Sequence, residues 1–168
     1  MNNDILLVGD KKTEKVLRKK TDAFDFEKFT AKEIRDLIAR MRRIMRAANG
    51  IGLSANQIGL NFKMFVAETA DPQGGTKFYA IFNPKIEKIG DEKKLLEEGC
   101  LSIPGTYGDV ERATRITITG FDKNAKPLRI KAWGPLAHVF QHEIDHLNGI
   151  LFIDKAKNTY EATPTERP

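Results

Sequence analysis

Apolar residues recur at helical spacing between residues 31 and 48, where Ile34, Leu37, Ile38, Met41, Ile44 and Met45 form one stripe among charged neighbours. Thr30 and Glu33 stand at capping-box spacing, and Phe29 and Ile34 at the positions of a hydrophobic staple. Asn49-Gly50 ends the pattern, so a helix over about 31–48 is predicted, with its stripe in the core.

The period then changes. FKMFVAE (62–68) and KFYAIFN (77–83) are rich in aromatic and β-branched residues and flank a turn at DPQGG (71–75). RITITGFD (115–122) and PLRIKAW (127–133) alternate apolar and polar residues about KNAK, which predicts a hairpin with one buried face. A second helix is predicted from Gly134-Pro135 to Leu147, with Asn148-Gly149 as its end. Residues 155–168 are polar and carry prolines near the end, and are predicted to be a loose tail. No repeat, low-complexity tract or linker divides the chain, so one domain over 1–168 is expected.

Composition narrows the class. The chain is 40% apolar and 30% charged, and has no run of apolar residues long enough to cross a bilayer. Its first residues lack the basic-then-apolar pattern of a secretory leader, so a cytoplasmic location, or its organellar or viral equivalent, is expected without membrane association. The single cysteine, Cys100, excludes an intrachain disulfide. The net charge of +5 lies in residues 1–50, which carry 13 Lys+Arg against 8 Asp+Glu; residues 51–168 carry 15 of each. RMRRIMR (40–46) is the densest basic stretch, and a face of this kind meets RNA or the ribosome; with no aromatic residues interleaved, a solvated helix face is preferred. No DNA partner is expected, and the chain is read as a monomer.

The candidate chemistry begins with QHEIDHLNG (141–149). Wound at about 100° per residue, Leu136, Val139, Phe140, Ile144 and Leu147 form an apolar face, Glu143 falls inside its arc, and His142 and His146 stand side by side on its rim. Two histidines at i and i+4 reach one metal from one helix face, and a glutamate buried beside them is costly unless it is used. His138 cannot complete the site, since eight residues separate it from His146, about 12 Å along the axis. It is read as a pocket-wall or surface residue. Cys100, in EEGCLSIPG (97–105), is the strongest candidate for the third ligand, with Gly99 supplying unusual backbone angles and Ile103-Pro104-Gly105 a turn. Such a set leaves a fourth position open for water, the mark of a catalytic metal. Glu143, with its pKa raised by burial, then stands where a base is needed.

GIGLSANQIG (50–59) contains the glycine spacing of a dinucleotide fold, but a helix rather than a strand precedes it, and that reading fails. It is either a flexible connector or an extended backbone lying beside a substrate, with Asn56 or Gln57 offering an amide donor.

Together the three segments resemble the peptide deformylases. GIGLSANQ resembles G-x-G-L-A-A-x-Q, EGCLS (98–102) matches E-G-C-L-S, and QHEIDHLNG matches Q-H-E-x-D-H-L-x-G, in the family's order and over about residues 4–154. The resemblance implies an α+β fold in which a central metal-binding helix packs against antiparallel or mixed β-sheets. It implies that Cys100, His142 and His146 hold one divalent metal, Fe²⁺ in the cell, with Zn²⁺, Ni²⁺ or Co²⁺ as substitutes. Glu143 is then general base and afterwards general acid, and the Gln57 amide and the Leu101 N–H hold the oxyanion. Gly52 lies near the formyl group, and the backbones around Gly50, Ile51 and Gly99 grip the peptide. Glu98 and Arg112 pair behind the site. The implied reaction removes formyl from the N-terminal formyl-methionine of nascent peptides and releases formate. An apolar pocket involving Val139 and Ile51 is expected to accept the methionine side chain.

The chain departs from the family pattern in three places. Ser54 stands where the motif has alanine, with little effect expected. VGDKKTEKVLRKK lacks the proline often found there. The chain ends 22 residues after His146, where many bacterial relatives continue as a long basic helix that docks on the ribosome, so docking by that route is not expected. Two other readings use the same residues: a small metallopeptidase, which leaves EGCLS unexplained, and an RNA-binding protein with a structural metal, supported only by residues 40–46.

Overall fold

The structure, a computed structural model, describes residues 4–71 and 74–162. Its elements are α1 (Lys11–Leu17), α2 (Ala31–Ala47), β1 (Gly52–Ser54), β2 (Met64–Ala70), β3 (Thr76–Ile89), β4 (Lys93–Cys100), β5 (Ile103–Ala113), β6 (Arg115–Phe121), β7 (Pro127–Trp133), α3 (Gly134–Leu147) and β8 (Thr159–Glu161). The strands form an antiparallel five-stranded sheet in the order β1-β2-β3-β6-β7 and an antiparallel three-stranded sheet in the order β4-β5-β8. The fold is α+β, with helices packed on antiparallel sheets.

The five-stranded sheet is covered on both faces, and β2 records this residue by residue. Met64 and Val66 point into a cluster with Ile34, Met41, Ile44 and Met45 of α2. Phe65 and Ala67, one step out of phase, join Ala137, Val139, Phe140, Ile144 and Leu147 of α3. A strand buried on both faces reads as a continuous apolar run, as MFVA does. Phe140 is fixed between the Phe65 ring at 5.3 Å and the Tyr79 ring at 5.2 Å.

The other side of α3 meets the smaller sheet. Gln141 accepts the Ala113 N–H at 3.1 Å and donates to the Ala113 carbonyl at 2.9 Å, tying the helix to the end of β5. The metal-motif helix thus lies between the sheet that begins with the first motif and the hairpin that carries the second.

Two sequence expectations need correction. β4 and β5 form a long hairpin that turns at Leu101-Ser102; Pro104 and Gly105 lie inside β5, where Gly105 takes φ of +80°. Residues 155–162 are not a loose tail: Thr159–Glu161 pair with Thr106–Gly108 as β8. Residues 163–168, and Pro72 and Gln73 of the predicted turn, lie outside the described residues.

Candidate metal centre

Each motif reaches the centre on a different element. α3 starts at Gly134-Pro135 and delivers His142 and His146 one turn apart, their rings 4.8 Å from each other. Cys100 ends β4 at the hairpin turn, beside a register shift at Gly99/Cys100. Gln57 lies in a short 3-10 turn, Ala55–Ile58, directly after β1.

The three candidate ligands converge. Cys100 Sγ lies 3.2 Å from His146 Nε2, which lies 3.2 Å from His142 Nε2, and all three donor atoms fall within 4.8 Å of one another. Donors bound at about 2.0–2.3 Å with tetrahedral angles stand roughly 3.3–3.6 Å apart, so the triangle fits one small divalent ion. Burial alone would raise the Cys100 thiol, but the field of His146 and hydrogen bonds to both histidines bring its pKa to about 5, giving the thiolate that such an ion requires.

Glu98 orients one ligand. His142 Nδ1 donates to Glu98 Oε2 at 2.8 Å, which leaves Nε2 for the centre. Arg112 donates from Nε to Oε1 at 2.6 Å and from Nη2 to Oε2 at 3.0 Å, and its Nη1 bonds Asp145 at 2.5 Å. Burial opposes the ionised form of Glu98, but hydrogen bonds from His138, His142 and Arg112 outweigh it and hold the carboxyl well below the usual range. His138 thus does not reach the centre, in line with its spacing, but its Nε2 lies 2.7 Å from Glu98 Oε1.

Glu143 is buried, and burial raises its pKa against the fields of His142 and His146 and the hydrogen bond from Ser54. Its Oε1 lies against the first motif so closely that a Cβ on Gly52 would come within 2.2 Å of it. Glycine is required at 52 for space. At Gly99 a Cβ would meet the Tyr107 ring at 2.6 Å, whereas at Gly50 it would meet the end of the half-buried Leu101 side chain, Cδ1 at 2.6 Å, which can swing aside. Gly99 does not have positive φ, so its expected role in unusual backbone angles is replaced by a close ring contact.

Of the two amides in the first motif, Gln57 faces the centre. Its Oε1 accepts the Ser54 N–H at 2.9 Å, and its Nε2 donates to Ser102 Oγ at 3.1 Å and lies 3.6 Å from Cys100 Sγ. Asn56 turns away to the His146 carbonyl at 2.6 Å. Val139 is only 5% exposed within the α3 core, whereas Ile51 is 59% exposed ahead of β1. Two outlined cavities, of about 560 and 540 Å³, lie beside α2 and beside Trp133 and include neither residue.

Contacts absent from the sequence reading come from the amino-terminal segment. Leu6 N–H donates to the Gln57 carbonyl at 2.7 Å and Val8 N–H to the Ser102 carbonyl at 2.9 Å, so one strap pins two motifs. Gly149, at φ +76°, lets the end of α3 pack on Arg18, whose carbonyl would lie 2.2 Å from a Cβ there. Hydrogen-bonding backbone carries no residue-type signal, which is why the strap was not legible.

A family model described as polypeptide deformylase matches residues 3–162. The chain belongs to the polypeptide deformylase family. A curated peptide deformylase of Halothermothrix orenii is 46% identical over 124 residues, 74% of this chain and 78% of the relative. That of Picosynechococcus sp. is 44% identical over 126 residues, 75% and 67%. Among solved structures, a probable peptide deformylase from synechococcus phage S-SSM7 superposes with a TM-score of 0.80 at 39% identity, covering 90% of this chain and 97% of that one. The peptide deformylase from Synechococcus elongatus, solved with actinonin, superposes at 0.81 with 38% identity, covering 92% and 79%. As a deformylase the protein is a hydrolase of a metal-dependent family, and its Cys/His₂ cluster is a candidate site for the divalent ion. No helix among the described residues is long and apolar enough to cross a membrane.

Proposed function

We propose that this deformylase removes formyl from the N-terminal formyl-methionine of nascent peptides with Cys100, His142 and His146 holding one divalent metal and Glu143 as the base. The convergence of the three donor atoms beside a buried Glu143 carries the reading. Fe²⁺ is the ion proposed in the cell, with Zn²⁺, Ni²⁺ or Co²⁺ able to replace it; a thiolate with two imidazoles suits these ions and not Mg²⁺ or Ca²⁺. When bound, the ion supplies Lewis acidity that acidifies water and polarises the formyl carbonyl.

The protein's own residues do the remaining work. Glu143 accepts a proton from water at Oε1, on the side of Gly52, and delivers it to the leaving amine. Its raised pKa suits both halves of that task. The Gln57 amide and the Leu101 N–H stabilise the oxyanion; an uncharged amide donates without competing for the metal. Products are formate and the free amine.

The peptide is proposed to lie along two sheet edges. β1 is the edge of the larger sheet, entered through Gly50, Ile51 and Gly52, and β4, which carries Gly99, is the edge of the smaller one. An extended peptide adds to such edges through its backbone, leaving alternate side chains for pockets. Ile51 and Val139 are assigned to the wall around the methionine side chain. The protein is proposed to act as a cytoplasmic monomer formed by a single catalytic domain. A transient ribosome contact is assigned to α2, where Arg35, Arg42, Arg43 and Arg46 line a cavity with Lys123; RNA binding that weakens steeply with salt would support it.

The test is product analysis of a formyl-methionyl tripeptide treated with metal-reconstituted protein. Formate and free amino terminus are expected in equal amounts, with peptide bonds intact. Peptide-bond cleavage without formate would overturn the proposal in favour of a metallopeptidase.

A further inference from the structure

Ser54 has no exposed surface and lies where the family motif carries alanine. Its Oγ is 2.7 Å from Glu143 Oε2 and 2.9 Å from the Glu143 carbonyl oxygen. A hydroxyl has one proton and two acceptors here, and the ionised carboxylate is the stronger acceptor. We infer that Ser54 is a positioning residue for the base: its hydroxyl holds Oε2 of Glu143 so that Oε1 is the oxygen presented to the substrate. The inference rests on Glu143 being the base, as proposed above.

Three observations make the arrangement specific. The two carboxylate oxygens have different surroundings, Oε2 on the Ser54 hydroxyl and Oε1 against Gly52, so the carboxylate has a working side and an anchored side. The Ser54 N–H is taken by Gln57 Oε1 at 2.9 Å, which turns Gln57 Nε2 towards Cys100. One residue of β1 therefore sets both the base and the proposed oxyanion donor, from opposite ends of its own frame. The strand is itself fixed, with Ser54 opposite Phe65 of β2, whose ring is buried against Phe140 of α3. Replacing Ser54 by alanine leaves Oε2 without this donor and lets the Glu143 side chain choose among rotamers. The expectation that serine here has little effect is revised accordingly.

The test is Ser54→Ala, assayed for formate release with metal content measured on the same sample. The kcat is expected to fall about tenfold or more, the factor that one hydrogen bond to a charged group is worth. KM for the formyl peptide and the one equivalent of metal are expected to stay as in wild type. A second comparison separates positioning from packing. In a Glu143→Asp background the shorter side chain already withdraws the carboxylate, so adding Ser54→Ala is expected to cost little more. Wild-type kcat in Ser54→Ala would overturn the inference, as would an equal loss in both backgrounds. Failure of wild type to release formate would defeat the proposed function, and this inference with it; an active wild type with an unimpaired Ser54→Ala defeats the inference alone.

Discussion

Glu98 and Glu68 are both carboxylates gripped by arginine, and they do different work. Glu98 lies between the smaller sheet and α3, with its side chain 2% exposed and that of Arg112 3% exposed. Glu68 lies on β2 with its side chain 11% exposed, and its partners on α2, Arg42 and Arg46, are 38% and 55% exposed. Hydrogen bonds from Arg46 and Arg42 hold the Glu68 pKa to about 2. Around Glu98 burial works against ionisation, and His138, His142 and Arg112 together overcome it. A buried ion pair is tolerable only when its remaining lone pairs and protons are satisfied. The extra partners that satisfy Glu98 include a ligand of the candidate metal centre. Burial thus turns a salt bridge into a device that aims His142, while the same chemistry at the surface contributes little.

Glu98→Ala is the strongest way to break this contrast. It leaves the Arg112 charge buried with Asp145 alone and removes the anchor of His142. Denaturant unfolding is expected to show a loss of about 3–5 kcal/mol, and metal titration an affinity about 10- to 100-fold weaker. A loss below about 1 kcal/mol, the level of an exposed pair, would erase the distinction.

Gly52→Ala probes the interior of the same region. A methyl 2.2 Å from Glu143 Oε1 must displace the carboxylate. A fall in kcat of about a hundredfold is expected, the consequence of an ångström-scale misplacement. Steady-state kinetics with unchanged metal content would show it.

Glu68→Gln probes the surface region and is expected to cost no more than about 1 kcal/mol, with formate release unaltered. Activity lost with Glu68 would mean that the surface pair reaches the centre, through its N–H bond to the Ile51 carbonyl at 2.8 Å. The smallest effect is the pH dependence of that pair. The folded Glu68 pKa is depressed from 4.5 to about 2, so its stabilisation is complete above 4.5 and is lost as pH falls through about 2. The difference in Tm between wild type and Glu68→Gln should therefore be present at neutral pH and shrink as pH falls below 4.5 towards 2.

The same contrast of buried and exposed explains what could be read from the chain. α2 and α3 were legible because each presents an apolar stripe and clear end signals, and β2, β3, β6 and β7 because β-branched and aromatic residues mark them. β4 was not legible: KKLLEEGC is an edge strand with most residues exposed, so no alternation is imposed on it. β5 hides behind Pro104, Gly105 and Gly108, and α1 buries only Leu17. At the site, His142, His146 and Glu143 followed from helical periodicity. Cys100 needed the hairpin to bring it to the helix, and sequence spacing could only nominate it. The Ser54 hydroxyl, the Leu6 and Val8 strap and the space needs of Gly52 and Gly99 depend on contacts between distant segments, which no local pattern encodes.

The most direct test is an anaerobic titration of metal-free protein with Fe²⁺, following formate release from a formyl-methionyl peptide beside Glu143→Gln. Activity is predicted to rise from zero and saturate at one equivalent. The variant is predicted to bind the same equivalent and release formate about 10²- to 10⁴-fold more slowly, the contribution of a positioned acid–base group. Release without metal, or undiminished release by metal-loaded Glu143→Gln, would contradict the account.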